Sequence, residues 1–312
     1  MPANLKDLRT RIKSVKSTQQ ITKAMKLVSA AKFGKAQNSV VNSRPYAKKL
    51  ASLTAKLAGI MSGGCNHPLM NSSSSKTAVL LAISSERGLC GGYNANVTKQ
   101  AIKTASDLEK EGFKVAVVCI GKKSFQAFLR RRRLSAHTKM EPAYVTEEAF
   151  VNSSAELLGG EGLTLITAAF DKPNNHKAKN VSDSFAELYT QGKIGKLVVV
   201  YNKFQSAMVQ IPTAETILPL RIDTQAVEAE PIFEPEIDDL LDHVLPRYMV
   251  SRIFQTLLEA VASEHGARMS AMDSATRNAQ EMERKLKITY QRARQAAITN
   301  ELIEIISGAE AL

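Results

Sequence analysis

Beyond Pro246 and as far as Ser307 the chain has no proline, and Gly266 is its one glycine. A stretch that long without a breaker folds as one helix, because proline and glycine are what interrupt the backbone ladder. Within it Met272, Ala275, Ala279, Met282, Leu286, Thr289, Ala293, Ala296, Asn300 and Ile303 recur at alternating intervals of three and four. That spacing predicts a coiled-coil seam, and the alanines in it let a second helix approach closely. At about 1.5 Å per residue the helix is roughly 90 Å long, too long for the core of a small domain.

The opposite end has a matching pattern. Residues 1–58 are expected to form a second long helix. Leu5, Leu8, Ile12 and Val15 repeat at the same spacing, and Ile21, Ala24, Val28 and Ala31 repeat it displaced by two positions. Leu50, Leu53, Leu57 and Ile60 close the pattern, and Pro45 predicts a kink or break near Arg44. Two long amphipathic helices flanking a compact middle pair most economically with each other, as an antiparallel coiled coil projecting from that middle.

The middle changes period. Residues 59–75, rich in glycine and serine, read as a linker. Residues 76–221 are expected to form a Rossmann-like α/β domain. Thr77–Ile83, Phe113–Ile120 and Lys196–Tyr201 are short, β-branched apolar runs, and Asn94–Lys110 between the first two predicts a βαβ unit. A helix is expected over Lys122–Arg132. Residues 141–180 give no clear order. Residues 222–244 are acidic and proline-bearing, a hinge into the C-terminal helix at 245–312.

Charge is unevenly placed. The net charge is +12, yet residues 1–60 hold thirteen Lys or Arg against the single acid Asp7, and the rest of the chain balances. A basic block of this kind calls for an acidic partner or solvent. Nucleic acid is one such partner, which makes a basic coiled-coil nucleic-acid-binding protein the alternative on pattern alone. No aromatics interleave the basic residues, which counts against single-strand binding.

Catalytic signals are weak. The turn Ser84-Ser-Glu-Arg-Gly-Leu-Cys-Gly-Gly-Tyr-Asn94 follows a strand and opens a helix, the usual setting for a phosphate loop. It lacks the lysine of a Walker loop and the glycine spacing of a dinucleotide fold, so a tight turn is expected. Cys65, Cys90 and Cys119 are widely separated and the five His residues form no ligand pattern, so reduced thiols, no metal and no cofactor are expected. Four arginines, Arg130–Arg133, end a helix and read as a solvated face. Arg268 falls on the continued seam, where a charge is costly unless a carboxylate meets it. An α/β enzyme with helical extensions lacks any convergent catalytic set.

Several motifs carry a resemblance. Ile298–Leu312, "ITNELIEIISGAEAL", fits the C-terminal signature of the γ subunits of F-type ATP synthases. Glu264–Ala279, Ile21–Lys32, Ser43–Tyr46 and the glycine-rich turn resemble other blocks of that family in the same order, with Glu86 where aspartate is usual. The resemblance implies a non-catalytic central stalk, turning inside the ring of α and β subunits, with the α/β domain as a foot on the ε subunit and the c ring, and δ engaged indirectly. Nucleotide would then be handled on α and β.

By the same resemblance Met25, Lys26, Cys90, Arg268, Gln295, Thr299 and Glu301 would contact β. Ile305, Ile306 and Leu312 would form an apolar bearing tip, and Lys203 and Phe204 would face ε or the c ring. The expected location is peripheral, on the cytoplasmic face of a bacterial inner membrane. Chloroplast-type redox regulation is not expected, since no close cysteine pair is present.

Overall fold

The computed structural model describes residues 5–60, 67–134, 143–146, 150, 162–166, 173–222 and 237–310, without the side chains of 131–134, 238 and 310. Their elements in order are α1 (Leu5–Ile60), β1 (Thr77–Ile83), α2 (Tyr93–Lys110), β2 (Lys114–Ile120), α3 (Lys122–Leu134), β3 (Ala143–Val145), β4 (Leu163–Ile166), α4 (Asn175–Thr190), β5 (Lys196–Phe204), β6 (Gln210–Leu218) and α5 (Ile237–Glu310). Contacts divide the chain into two compact units, one of residues 1–31 with 268–312 and one of residues 32–267. The α/β unit therefore takes in the second half of α1 and the start of α5, beyond the limits of 76 and 221 read from the sequence.

The α/β unit is a six-stranded sheet in the order β3-β4-β2-β1-β5-β6. Its strands run parallel except β6, which pairs antiparallel with β5. A parallel sheet needs cover on both faces, and the central strands show it: β1 is buried from Ala78 to Ile83 and β2 from Val115 to Ile120. Alternate side chains serve opposite cores. Ala78, Leu80 and Ala82 meet Val97, Ala101 and Leu108 of α2 and Phe125 and Phe128 of α3. Val79, Leu81 and Ile83 meet Ala178, Val181 and Phe185 of α4 and the start of α5. On α5 the residues Leu241, Leu245, Met249, Ile253, Leu257 and Ala260 lie on this core at intervals of four, four, four, four and three, one face of a helix.

Several of these elements differ from the sequence expectation. Helix α5 starts at Ile237, not 245, and Pro246 lies inside it. Helix α1 likewise continues through Pro45. Strand β6 contains Pro212, which lacks a ladder donor, and β6 is an edge strand, where that loss is tolerated. Within residues 141–180 the described parts are β3, β4 and the start of α4, which is capped by Asn174 accepting from the His176 amide at 3.0 Å.

Close approach requires glycine at Gly121 and at Gly195, where a Cβ would lie 2.0 Å from the Ser75 carbonyl oxygen, and leaves little room at Gly266. Gly121, at the end of β2, has φ +99°, and a Cβ there would lie 2.2 Å from the Ser84 carbonyl oxygen. Gly266 faces the β5–β6 hairpin, where a Cβ would lie 3.2 Å from Ala207. The hairpin is tied to α5 nearby. Arg252 pairs with Glu215, which also accepts from the Tyr201 hydroxyl at 3.3 Å. Burial and the neighbouring Glu259 charge push the Tyr201 hydroxyl up to about 12. Burial also raises Glu259, partly offset by the Phe204 amide donating to it at 3.3 Å.

Candidate interaction surface

The second unit is a helix pair made from the start of α1 and the end of α5. Three polar contacts fix its direction. The Arg9 guanidinium donates to the Tyr290 hydroxyl at 2.8 Å and also sits over its ring. The Thr22 and Thr276 hydroxyls lie 2.8 Å apart, and Lys26 Nζ lies 2.5 Å from Asp273 Oδ1. From Arg9 to Lys26 the number rises by 17, and from Tyr290 to Asp273 it falls by 17. The pair is therefore antiparallel and keeps one register throughout.

The seam differs from the one read off apolar residues. On α5 the covered row is Met272, Thr276, Ala279, Glu283, Leu286, Tyr290, Ala293 and Ala297, still at alternating four and three. Met272, Ala279, Leu286 and Ala293 belong to both rows. In the other half Thr276, Glu283, Tyr290 and Ala297 are the more covered, while Met282 is 54% exposed and Thr289 and Ala296 are exposed. Ala275 is half-buried beside Thr276. On α1 the row runs Leu5, Leu8, Ile12, Val15, Gln19, Thr22, Lys26 and Ser29 without displacement. Ile21, Ala24, Val28 and Ala31 lie outside it and are exposed. The physical reason is that hydroxyl and amide side chains enter a narrow seam when a partner satisfies them, as Thr22 and Thr276 do.

Past Ala297 every described side chain of α5 is exposed. Ile298, Leu302, Ile303, Ile305 and Ile306 are between 45% and 67% exposed. At about 100° per residue they fall on one arc, with Asn300, Glu301, Glu304 and Ser307 on the other side. An apolar arc left in water on a long helix marks a contact surface for another molecule. From the sequence, Ile303 reads as part of the seam, while the resemblance implies that Ile305 and Ile306 form an apolar tip.

The expected contact residues fall into three groups. Gln295, Thr299, Glu301, Ile305 and Ile306 are exposed on the end of α5, and the Thr299 hydroxyl donates to the Gln295 carbonyl at 3.0 Å. Met25 and Lys26 are half-buried, and Lys203 is exposed. Arg268 is only 9% exposed, and so is Phe204, which packs on Phe33 with ring centroids 5.7 Å apart. Leu312 lies outside the described residues.

Cys90 needs a correction. It is 1% exposed, under Tyr93 and Ala267, so its thiol offers nothing to another chain. Asn94 explains the burial: its amide donates to Cys90 Sγ at 3.0 Å, while its Oδ1 accepts from the Ser85 amide at 3.1 Å and lies 2.8 Å from the Ser85 hydroxyl. The turn is thus closed on itself. Of its exposed residues, Arg87, Leu89, Gly91 and Gly92, the large apolar one is Leu89, 62% exposed with φ +64°.

The ATP synthase family model matches residues 4–312. The ATP synthase gamma chain of Trichlorobacter lovleyi is 40% identical over 99% of both chains, and that of Geobacter metallireducens is 42% identical over the same shares. The chain belongs to the ATP synthase γ-chain family. Its work is accordingly that of the synthase's central stalk, in ATP synthesis, and nothing in these likenesses supports nucleic-acid binding. The fold agrees at greater distance. The chain superposes on a chain of the Euglena gracilis mitochondrial ATP synthase with TM-score 0.64 at 17% identity, covering 98% of this chain and 94% of that one. A chain of the Tetrahymena thermophila central stalk and c-ring structure gives TM-score 0.53 at 20% identity, over 82% and 99%. Among the described residues no helix is long and apolar enough to cross a membrane.

Proposed function

We propose that the helix pair is the part of the stalk that turns against the α and β subunits, and that this chain carries no catalytic step itself. The observation that carries the reading is the end of α5, where apolar side chains from Ile298 to Ile306 stand exposed on one arc. An apolar surface can slide on an apolar collar, because burial has no preferred direction in the plane of contact. Ile305 and Ile306 form the bearing tip, with Gln295, Thr299 and Glu301 as polar contacts one to three turns below. The basic face of α1 suits an acidic surface on β, since long-range attraction tolerates rotation where a fixed hydrogen bond does not. The α/β unit serves as the foot toward ε and the c ring, with Lys203 as its cation there. The relatives are bacterial chains, in keeping with a peripheral place on the cytoplasmic face of the inner membrane.

The test is reconstitution with separately purified α and β. The expected product holds one copy of this chain per three α and three β and shows ATPase activity that the chain alone lacks. A chain that stays apart from α and β under those conditions overturns the reading.

A further inference from the structure

Phe204 is the last residue of β5 and differs from the rest of the sheet in its neighbours. The resemblance points it toward ε or the c ring, but its ring is turned inward and is 9% exposed. It packs with Val40 of α1 and with Leu258 and Ala262 of α5, and Phe33, Ala36 and Phe254 close around them. Among the described residues no other strand side chain belongs to this cluster. The ring lies against Phe33, with centroids 5.7 Å apart and planes tilted by 59°. The Phe204 amide donates to Glu259 Oε2 of α5 at 3.3 Å. One residue thus engages both long helices, α1 through its ring and α5 through its amide. The hairpin that carries it is anchored on the same side. Arg252 of α5 pairs with Glu215 of β6, and a Cβ at Gly266 would lie 3.2 Å from both Ala207 and Phe33. The other links between sheet and helices are one-sided. The core that receives Val79, Leu81 and Ile83 takes a long row of α5 but, among the described residues, only Leu57 of α1. The opposite core takes neither helix.

We propose that Phe204 is the positioning residue of a torsional joint: it fixes α1 to the sheet, so that the α/β unit and both long helices turn as one body. This rests on the proposed function, in which that unit is the foot toward the c ring. A sheet held mainly to α5 lets α1 lag when the unit turns. With a further hold on α1 the sheet and the two helices close a triangle, and a triangle resists that lag. Packed side chains supply the resistance, because protein interiors are as dense as organic crystals and yield little to compression.

The test reads torsional stiffness directly. In the reconstituted complex the α and β subunits are fixed to a surface, turnover is stopped by withholding nucleotide, and a bead on the α/β unit reports its angular fluctuation. A looser joint gives a larger angular variance. Phe204→Ala is expected to raise the variance about twofold, because the cavity left by a buried Phe removes the packed contact. Phe33→Leu, which leaves every sheet residue in place, should raise it by less. Phe128→Ala is the control. It truncates the same side chain, 5% exposed, in the core that takes neither long helix, and should leave the variance unchanged. The proposal is overturned if neither Phe204→Ala nor Phe33→Leu raises the variance. It is equally overturned if Phe128→Ala raises it as much, since any loss of packing in the unit would then suffice. Should Phe204→Ala fail to assemble, Phe33→Leu against Phe128→Ala decides alone. Failure of the unaltered chain to assemble would instead count against the proposed function.

Discussion

The two units are built on opposite principles. In the α/β unit every position of β1 after Thr77 is buried, and its apolar residues alternate between the cores on the two faces of the sheet. In the helix pair the covered row of α1 includes Gln19, Thr22, Lys26 and Ser29, while Ile21 and Val28 are each 58% exposed. The central strands of the first spend their apolar side chains on the unit's own cores. The second leaves much of its apolar surface facing outward and joins its helices partly through hydroxyls and an ion pair.

That contrast can be pressed by mutation. The largest effect is expected in the α/β core. Phe185 is fully buried and meets Phe150 edge-on, with ring centroids 5.6 Å apart. Phe185→Ala should destabilise the chain by about 3–5 kcal/mol, through lost transfer energy and the cavity left behind. Chemical unfolding of the isolated chain measures it, and a loss under about 1 kcal/mol would mean that this core is not what holds the unit.

A much smaller effect is expected in the pair. Thr276→Val keeps the shape and removes the hydroxyl facing Thr22, which retains its own carbonyl acceptor at Gln19. The expected loss is about 1 kcal/mol or less, seen as earlier unfolding of the helix pair. A loss comparable to that of Phe185→Ala would erase the distinction between the units.

The same contrast explains what could be read from the sequence. Where apolar residues serve the chain's own core, periodicity located the elements: β1, β2, β5, α2 and the two terminal helices. Strand β6 is absent from the sequence expectation; its Pro212 is tolerated because β6 lies at the sheet edge. In the helix pair apolar spacing found the right period but the wrong rows. Met282 and Val28 fit a heptad by hydrophobicity, yet they are exposed, and Thr276 and Thr22 are covered. Spacing alone cannot separate an apolar residue meant for the partner helix from one meant for another chain. Of the expected contact residues, those at the end of α5, named through the motif, are exposed. The burial of Cys90 was not, because it depends on Asn94 folding back onto the turn.

The most direct measurement is amide hydrogen exchange over residues 298–306, in the free chain and in the complex with α and β. In the free chain this helical end has no described partner to slow its opening. The account predicts exchange slowed by at least about tenfold on assembly, with little change in the already protected strands β1 and β2. Equal exchange in both states would contradict it, because the apolar arc from Ile298 to Ile306 would then face solvent in the assembled synthase as well.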